Sequence, residues 1–304
     1  MTLSYRNGVS IGEIIVYTWA IAVAIFLVMR HGFRKNSGWI YLVIFCLARI
    51  IGSAMQLAII SKPTSTSLYT GYAILNNVGL SPLMFAAMGL LDRLLDTIHE
   101  THNTRIHPGI TKIVHLIILI GLILGIVGGI NASNAYTKAL NAGAVGAYRP
   151  GSLSKAGSAL FILSYAAVAS LTIVISFYTP HAQSGEKRLL YAVAVALPFL
   201  LIRLIYSCIS TFSHDKRFNL LTGDETVLLF MAYLMEICVV IAFEITGLTL
   251  RKVVVKYPVA TRQTNSSNSS HPLQSKGKGN VGLNIAKKTI IGRIVMAFIP
   301  SEKA

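Results

Sequence analysis

With 54% hydrophobic and 12% charged residues over 304 positions, and a mean hydropathy of +0.63, the chain is too apolar for a soluble domain. Its formal charge of +16 comes without a nucleic-acid-binding motif, which excludes a nucleic-acid partner and leaves membrane-surface chemistry as the reading of the excess Lys and Arg. Cys46, Cys208 and Cys238 all fall inside apolar runs, so no disulfide is expected to staple the loops.

Seven runs are long and apolar enough to cross a bilayer: about 11–29, 38–60, 68–91, 111–130, 155–178, 189–210 and 226–250. The connections are short. This predicts an all-α polytopic membrane protein, a single bundle of seven transmembrane helices over residues 1–252, with a basic, largely disordered tail over 253–304. Eighteen of the 27 Lys and Arg fall on the side of the 1/2, 3/4 and 5/6 connections and the tail, seven fall on the other side, and two lie inside spans. That split predicts an outer N-terminus and a cytosolic C-terminus. An integral protein of the endoplasmic reticulum or another endomembrane is expected.

The first run has Arg6 ahead of it and the basic stretch 30-RHGFRK-35 behind it, the reverse of a cleaved signal, so it is expected to remain a span. Glu13 and Tyr17 lie one turn apart near its outer end, where Glu13 is shallow enough to be hydrated. In the second run Phe45, Arg49, Gly52, Ser53 and Gln56 share a face. Arg49 is about 11 residues deep, roughly 16 Å at 1.5 Å per residue, which is near the midplane. The third run aligns Tyr69, Tyr72, Asn76 and Gly79, and Pro82, which removes a helix N–H, predicts a kink. A broken, polar helix either lines a cavity or packs as a kink, and both readings stay open.

Beyond that run Asp92, Asp96 and Glu100 recur at i, i+4 and i+8, with His99, His102 and His107 nearby. Such spacing suits magnesium on a diphosphate, but the preferred reading is an amphipathic surface extension with Arg93 and Arg105 as counter-charges. No metal site and no cofactor are expected. Gly121, Gly125 and Gly129 in the fourth run make a close-packing face. The loop after it holds Asn131-Ala132-Ser133, a glycosylation pattern too near the membrane to be used. The sixth run repeats the second, with Phe199, Arg203 and Ser207 matching Phe45, Arg49 and Ser53, and with Tyr206 on the same face. Two matched positions around an arginine fit packing coincidence better than parallel three-helix repeats.

The seventh run carries Glu236 and Glu244 at a depth where an ionisable group costs several kcal/mol unless it is paired, wet or neutral. At about 100° per residue Ala232, Tyr233, Glu236, Val240, Phe243, Glu244 and Gly247 share a face, so both acids are expected to look the same way. Arg49 and Arg203, the two arginines inside other runs, are the expected partners. A structural ion-pair lock and a working site are both open readings of such a cluster. No lysine lies deeper in a run than the end positions Lys112 and Lys155, so a retinal Schiff base is excluded, and no Ser/His/Asp set, HExxH or nucleotide-phosphate loop occurs.

The segments RHGFRKNSGWIYLVIFCLARIIGSAMQLA, SLYTGYAILNNVGLSPLMFAAMGLL, LLIRLIYSC and YLMEICVVIAFEITGL together resemble a fungal seven-helix family catalogued as a domain of unknown function, over about residues 1–252. They are also similar to the membrane-bound terpene cyclases of fungal meroterpenoid pathways, of the ascochlorin and macrophorin type. That resemblance implies cyclisation of a farnesylated aromatic, or its epoxide, without metal or cofactor, and so a hydrophobic small-molecule substrate.

Such chemistry needs a carboxylic acid kept protonated in an apolar, water-poor cage whose aromatic faces tolerate a migrating cation. Glu236 would be that acid and Glu244 the second candidate. Tyr72, Tyr206, Tyr233 and Phe243 would line the cage, while Arg49, Arg203 and Asn76 would hold a polar head group. An arginine in direct contact makes an acid a poorer proton donor, so at most one of the two glutamates can be both free and strong. The competing class is a seven-helix transporter or receptor that uses the same Glu/Arg cluster.

Overall fold

Hydropathy and structure agree on seven helices long and apolar enough to span a bilayer. The computed structural model describes residues 5–31, 38–62, 65–101, 108–141, 150–178, 185–213, 216–218 and 223–250, and every regular element among them is helical. The expected tail, 253–304, lies outside these residues, as do His102, Arg105, His107 and the side chain of Glu100. The first two spans are α1 (Tyr5–His31) and α2 (Trp39–Ser61). The third is split into α3 (Thr66–Val78) and α4 (Leu80–Thr101). Then follow α5 (Pro108–Asn141), α6 (Ser152–Tyr178) and α7 (Lys187–Phe212). The seventh comprises α8 (Glu225–Leu228), one π turn (Leu229–Tyr233) and α9 (Leu234–Thr249).

Apolar residues point both ways in this bundle, because its solvent is lipid on the outside and protein on the inside. Trp19, Met29, Phe177 and Tyr191 are between 65% and 76% exposed, which puts a band of large side chains against the bilayer. The third span is different. In it 72% of the apolar window is buried, against 33% to 50% in the other six, so α3–α4 is the axis around which the rest pack. Leu83, Ala87, Met88, Leu91, Leu94 and Ile98 of α4 are all buried in one continuous core.

The break in that axis falls at Gly79, three residues before Pro82. A proline at 82 cannot donate to the carbonyl of Val78, one turn earlier, and the Ser81 hydroxyl takes over, donating to Val78 O at 2.8 Å. The chain thus bends without stranding a buried carbonyl.

Two expected boundaries move. α5 continues to Asn141 instead of ending near 130, because its polar extension packs on α3: Ser133 is buried and its hydroxyl lies 2.8 Å from that of Thr70. Asn131-Ala132-Ser133 is therefore helix, not loop. α4 likewise runs on through Asp92 and Asp96 to Thr101. Arg93 does not serve those acids; it donates to both carboxylate oxygens of Glu186, at 2.8 and 3.2 Å.

The end of α9 is clasped by two arginines and a histidine ring, which satisfy carbonyls that a helix C-terminus leaves open. Arg30 donates to Leu248 O at 2.9 Å and Leu250 O at 3.1 Å, His31 Nε2 donates to Gly247 O at 2.9 Å, and Arg188 reaches Thr249 O at 3.2 Å.

Candidate functional site

Arg49 and Arg203 are the expected partners of Glu236, and the structure brings the three together. Glu236 is 0% exposed, Arg203 1% and Arg49 4%. Arg203 Nε donates to Glu236 Oε1 at 2.6 Å, and Arg49 Nη2 lies against both carboxylate oxygens. Asn76 completes the ring from α3: its side-chain oxygen accepts from Arg49 Nη1 at 2.8 Å and its backbone carbonyl accepts from Arg203 Nη2 at 2.9 Å. Arg203 Nη1 donates to Ser207 Oγ, one turn on. Burying three charges costs several kcal/mol per ion, and only this density of pairing and hydrogen bonding offsets it.

Two of the four aromatic residues expected to line a cage, Tyr233 and Tyr206, pack against the guanidinium groups, as does Phe45. Arg49 sits over Tyr233 at 5.1 Å and Phe45 at 5.6 Å, and Arg203 over Tyr206 at 5.6 Å. The hydroxyls of Tyr72 and Tyr233 are 3.3 Å apart, and Asn76 Nδ2 faces both at 3.4 to 3.5 Å, contacts at the weak limit of hydrogen bonding. Gly79 is what lets Arg49 lie there. A Cβ at that position would stand 2.6 Å from Arg49 Nη2, so the break between α3 and α4 doubles as the seat of the guanidinium.

Glu13 joins from α1. The Ser53 hydroxyl donates to Glu13 Oε2 at 2.7 Å, and Glu13 is buried, not hydrated. The reason is the helix start: α1 begins at Tyr5, so Glu13 is about eight residues, roughly 12 Å, along it. The matching Phe-Arg-Ser patterns of α2 and α7 do not give matching contacts, since Ser207 serves its own arginine while Ser53 serves Glu13. What the two arginines share is the carboxylate they grip from two sides.

Glu244 and Phe243 are buried, as their face predicts, but neither belongs to this ring. Phe243 is in the main apolar core. Glu244 lines a separate groove of about 320 Å³ between α1 and α9, with Tyr17, Ala20, Val23, Ile237 and Val240, and its Oε1 has no hydrogen-bond partner among the described residues. Eight residues at about 100° each leave a turn of about 80°, so the two acids of this helix do not look the same way.

Residues 3–253 match the family described as Domain of unknown function (DUF7702). The chain belongs to this family. Comparison with curated proteins and with solved structures gives no match. The DUF7702 stretch covers the whole seven-span bundle, so the ionic ring, the groove at Glu244 and the clasp on α9 are all inside the family domain.

Within the DUF7702 domain, the sequence shows Ser207, Gly79 and Glu13 without their contacts, and does not show the π turn at all. Ser207 and Gly79 give no signal beyond a small residue on a polar face. Glu13 was placed too shallow. The π turn at Leu229–Tyr233, which adds a residue to the helix just before Glu236, has no pattern that periodicity detects, although such turns recur at functional sites.

Proposed function

We propose that this protein is a membrane-embedded cyclase that takes the reacting end of a prenylated, farnesyl-type molecule from the bilayer and starts ring closure with a proton from Glu244. The observation that carries the proposal is an acid that lines an apolar groove between α1 and α9 and has one buried oxygen without a hydrogen-bond partner among the described residues. Trp19, Ile15 and Ile241 flank that groove and are 48% to 74% exposed, so a prenyl chain reaches it sideways from the membrane. Tyr17, buried in the same wall, offers an aromatic face to a migrating cation. Glu244 lies five residues before the end of α9, about 8 Å along the axis.

In this reading the proton adds to a terminal olefin carbon, or to an epoxide oxygen whose C–O bond breaks. A neighbouring double bond supplies the electrons for the new C–C bond, and the carbocation loses a proton to regenerate the acid. Substrate and product are isomers. Glu236 is the anchor and not the donor, because protonating it would leave two guanidinium charges side by side with no anion between them.

Expression in a fungal host free of related pathways, fed farnesylated phenols and their epoxides, tests the proposal by product analysis. Glu244→Gln is expected to lower product formation by at least the roughly 100-fold typical of general-acid catalysis, with folded yield kept. Full turnover by Glu244→Gln would remove that residue from the chemistry. If no prenylated phenol is converted while the protein changes its distribution across membranes, transport replaces cyclisation.

The same reading places the tail in the cytosol and the bundle in an endomembrane. Asn265 and Asn268, each opening an Asn-Ser-Ser sequon, should then stay unglycosylated, and a glycosidase-sensitive mass shift at either inverts the orientation.

A further inference from the structure

We propose that one water molecule is bound between α1 and α2, held by Glu13, Tyr17 and Arg49, and that it joins Glu13 to the ionic ring as a second anion. The two helices run antiparallel here. Glu13 meets Ser53, whose hydroxyl donates to Oε2 at 2.7 Å, and one turn on Tyr17 meets Phe45 edge to face at 5.5 Å. Arg49 lies between Ser53 and Phe45 on α2, so it stands opposite the interval between Glu13 and Tyr17. All three side chains are buried, with Glu13 5%, Tyr17 0% and Arg49 4% exposed.

Each of the three keeps one polar atom without a hydrogen-bond partner among the described residues: Glu13 Oε1, the Tyr17 hydroxyl and Arg49 Nε. Arg49 commits Nη1 to Asn76 and Nη2 to Glu236. Glu13 and Tyr17 are nevertheless within electrostatic reach of Arg49 and of each other. Polar groups that act on one another beyond contact distance, closed off from solvent, are where a bridging water belongs. A buried polar atom left unbonded costs free energy that a shared partner recovers.

Charge and hydrogen-bond polarity identify the occupant. A guanidinium N–H only donates and a carboxylate oxygen only accepts, whereas a phenol does either. A cation there would face Arg49, and an anion would face Glu13. The occupant is therefore neutral, accepts from Arg49 Nε and donates to Glu13 Oε1, and water is the smallest molecule that does both. Its second lone pair takes the Tyr17 O–H, so that it bonds to each of the three groups, as buried waters typically do. With Glu13 so attached, two carboxylates face the two guanidinium groups of the ring, Arg49 and Arg203.

An experimental structure of the full-length protein in lipid, at a resolution that shows ordered water, tests the site directly. The expected result is a solvent peak within hydrogen-bond distance of all three atoms. Direct pairing of Glu13 with Tyr17 or Arg49, or a clear map with nothing between them, overturns the proposal. Tyr17→Phe gives a second reading, because the sign of its effect depends on the water. Removing a hydroxyl that bonds to water should lower the melting temperature by about 2–4 °C, whereas removing an idle buried hydroxyl leaves it unchanged or raises it. Tyr17→Phe combined with Glu13→Gln should lose less than the two single losses added, since both act through one molecule. A melting temperature unchanged or raised in Tyr17→Phe, or strictly additive losses, overturns the proposal. Phe keeps the aromatic face on the groove at Glu244, so the outcome is separate from any activity there.

Discussion

Glu236 and Glu244 sit on the same helix, two turns apart, and both are buried, yet they live in opposite surroundings. The first is gripped by two guanidinium groups from α2 and α7 and sealed by Asn76. The second lines the groove between α1 and α9 and has one oxygen without a hydrogen-bond partner among the described residues. Burial alone does not say what an intramembrane acid is for; its partners do. An acid held by two cations is fixed in place and costly to neutralise, whereas an acid beside a groove with one oxygen unpartnered among the described residues is the one we propose for a ligand.

The sharpest way to break the comparison is to neutralise each acid in turn. Glu236→Gln strands two buried guanidinium groups and is expected to cost about 3–5 kcal/mol, seen as a collapse of the monodisperse peak in detergent. Glu244→Gln should leave that peak in place. Equal losses from the two variants would erase the distinction.

A mutant cycle sharpens the first half. Arg49→Met alone should reduce thermal stability more than Arg49→Met combined with Glu236→Met, because the pair is removed whole in the double variant. The same cycle with Arg203 apportions the carboxylate between its two partners, and strictly additive losses in both would mean that neither contact is coupled. The smallest expected effect is at Gly79→Ala. Its Cβ would push into Arg49 Nη2, and a penalty of about 1–3 kcal/mol is expected from overpacking at that seat. A melting temperature unchanged from the parent would show that Arg49 has another place to go.

Much of this was legible in the chain. Seven apolar runs and the pairing of Arg49 and Arg203 with Glu236 follow from counting apolar lengths and the few charges inside them. The separation of the two glutamates was lost because a face seven residues wide includes positions about 80° apart, enough to turn Glu244 from the ring into the α1/α9 groove. Asn131 to Asn141 look like loop by composition and are helix because α3 supplies contacts that composition does not contain. Glu13 was misjudged for the related reason that Tyr5 to Ser10, mixed in polarity, already belong to α1. Local pattern gives the period of a helix well and its ends badly, and here two polar residues owe their surroundings to the ends.

The distance along the chain between the partners has a consequence for biosynthesis. Arg49 and Glu236 are 187 residues apart, so at about 5–20 residues per second roughly 10–40 s pass between the translation of one and of the other. Through that interval a nascent chain holds Arg49 in the membrane without its final counter-ion. The acid at hand is Glu13, tied by Ser53 to the same helix as Arg49 and made before either. A chain that stops before residue 236 therefore leaves Arg49 and Arg203 with Glu13 as the one nearby acid of the ring, one anion for two guanidinium groups.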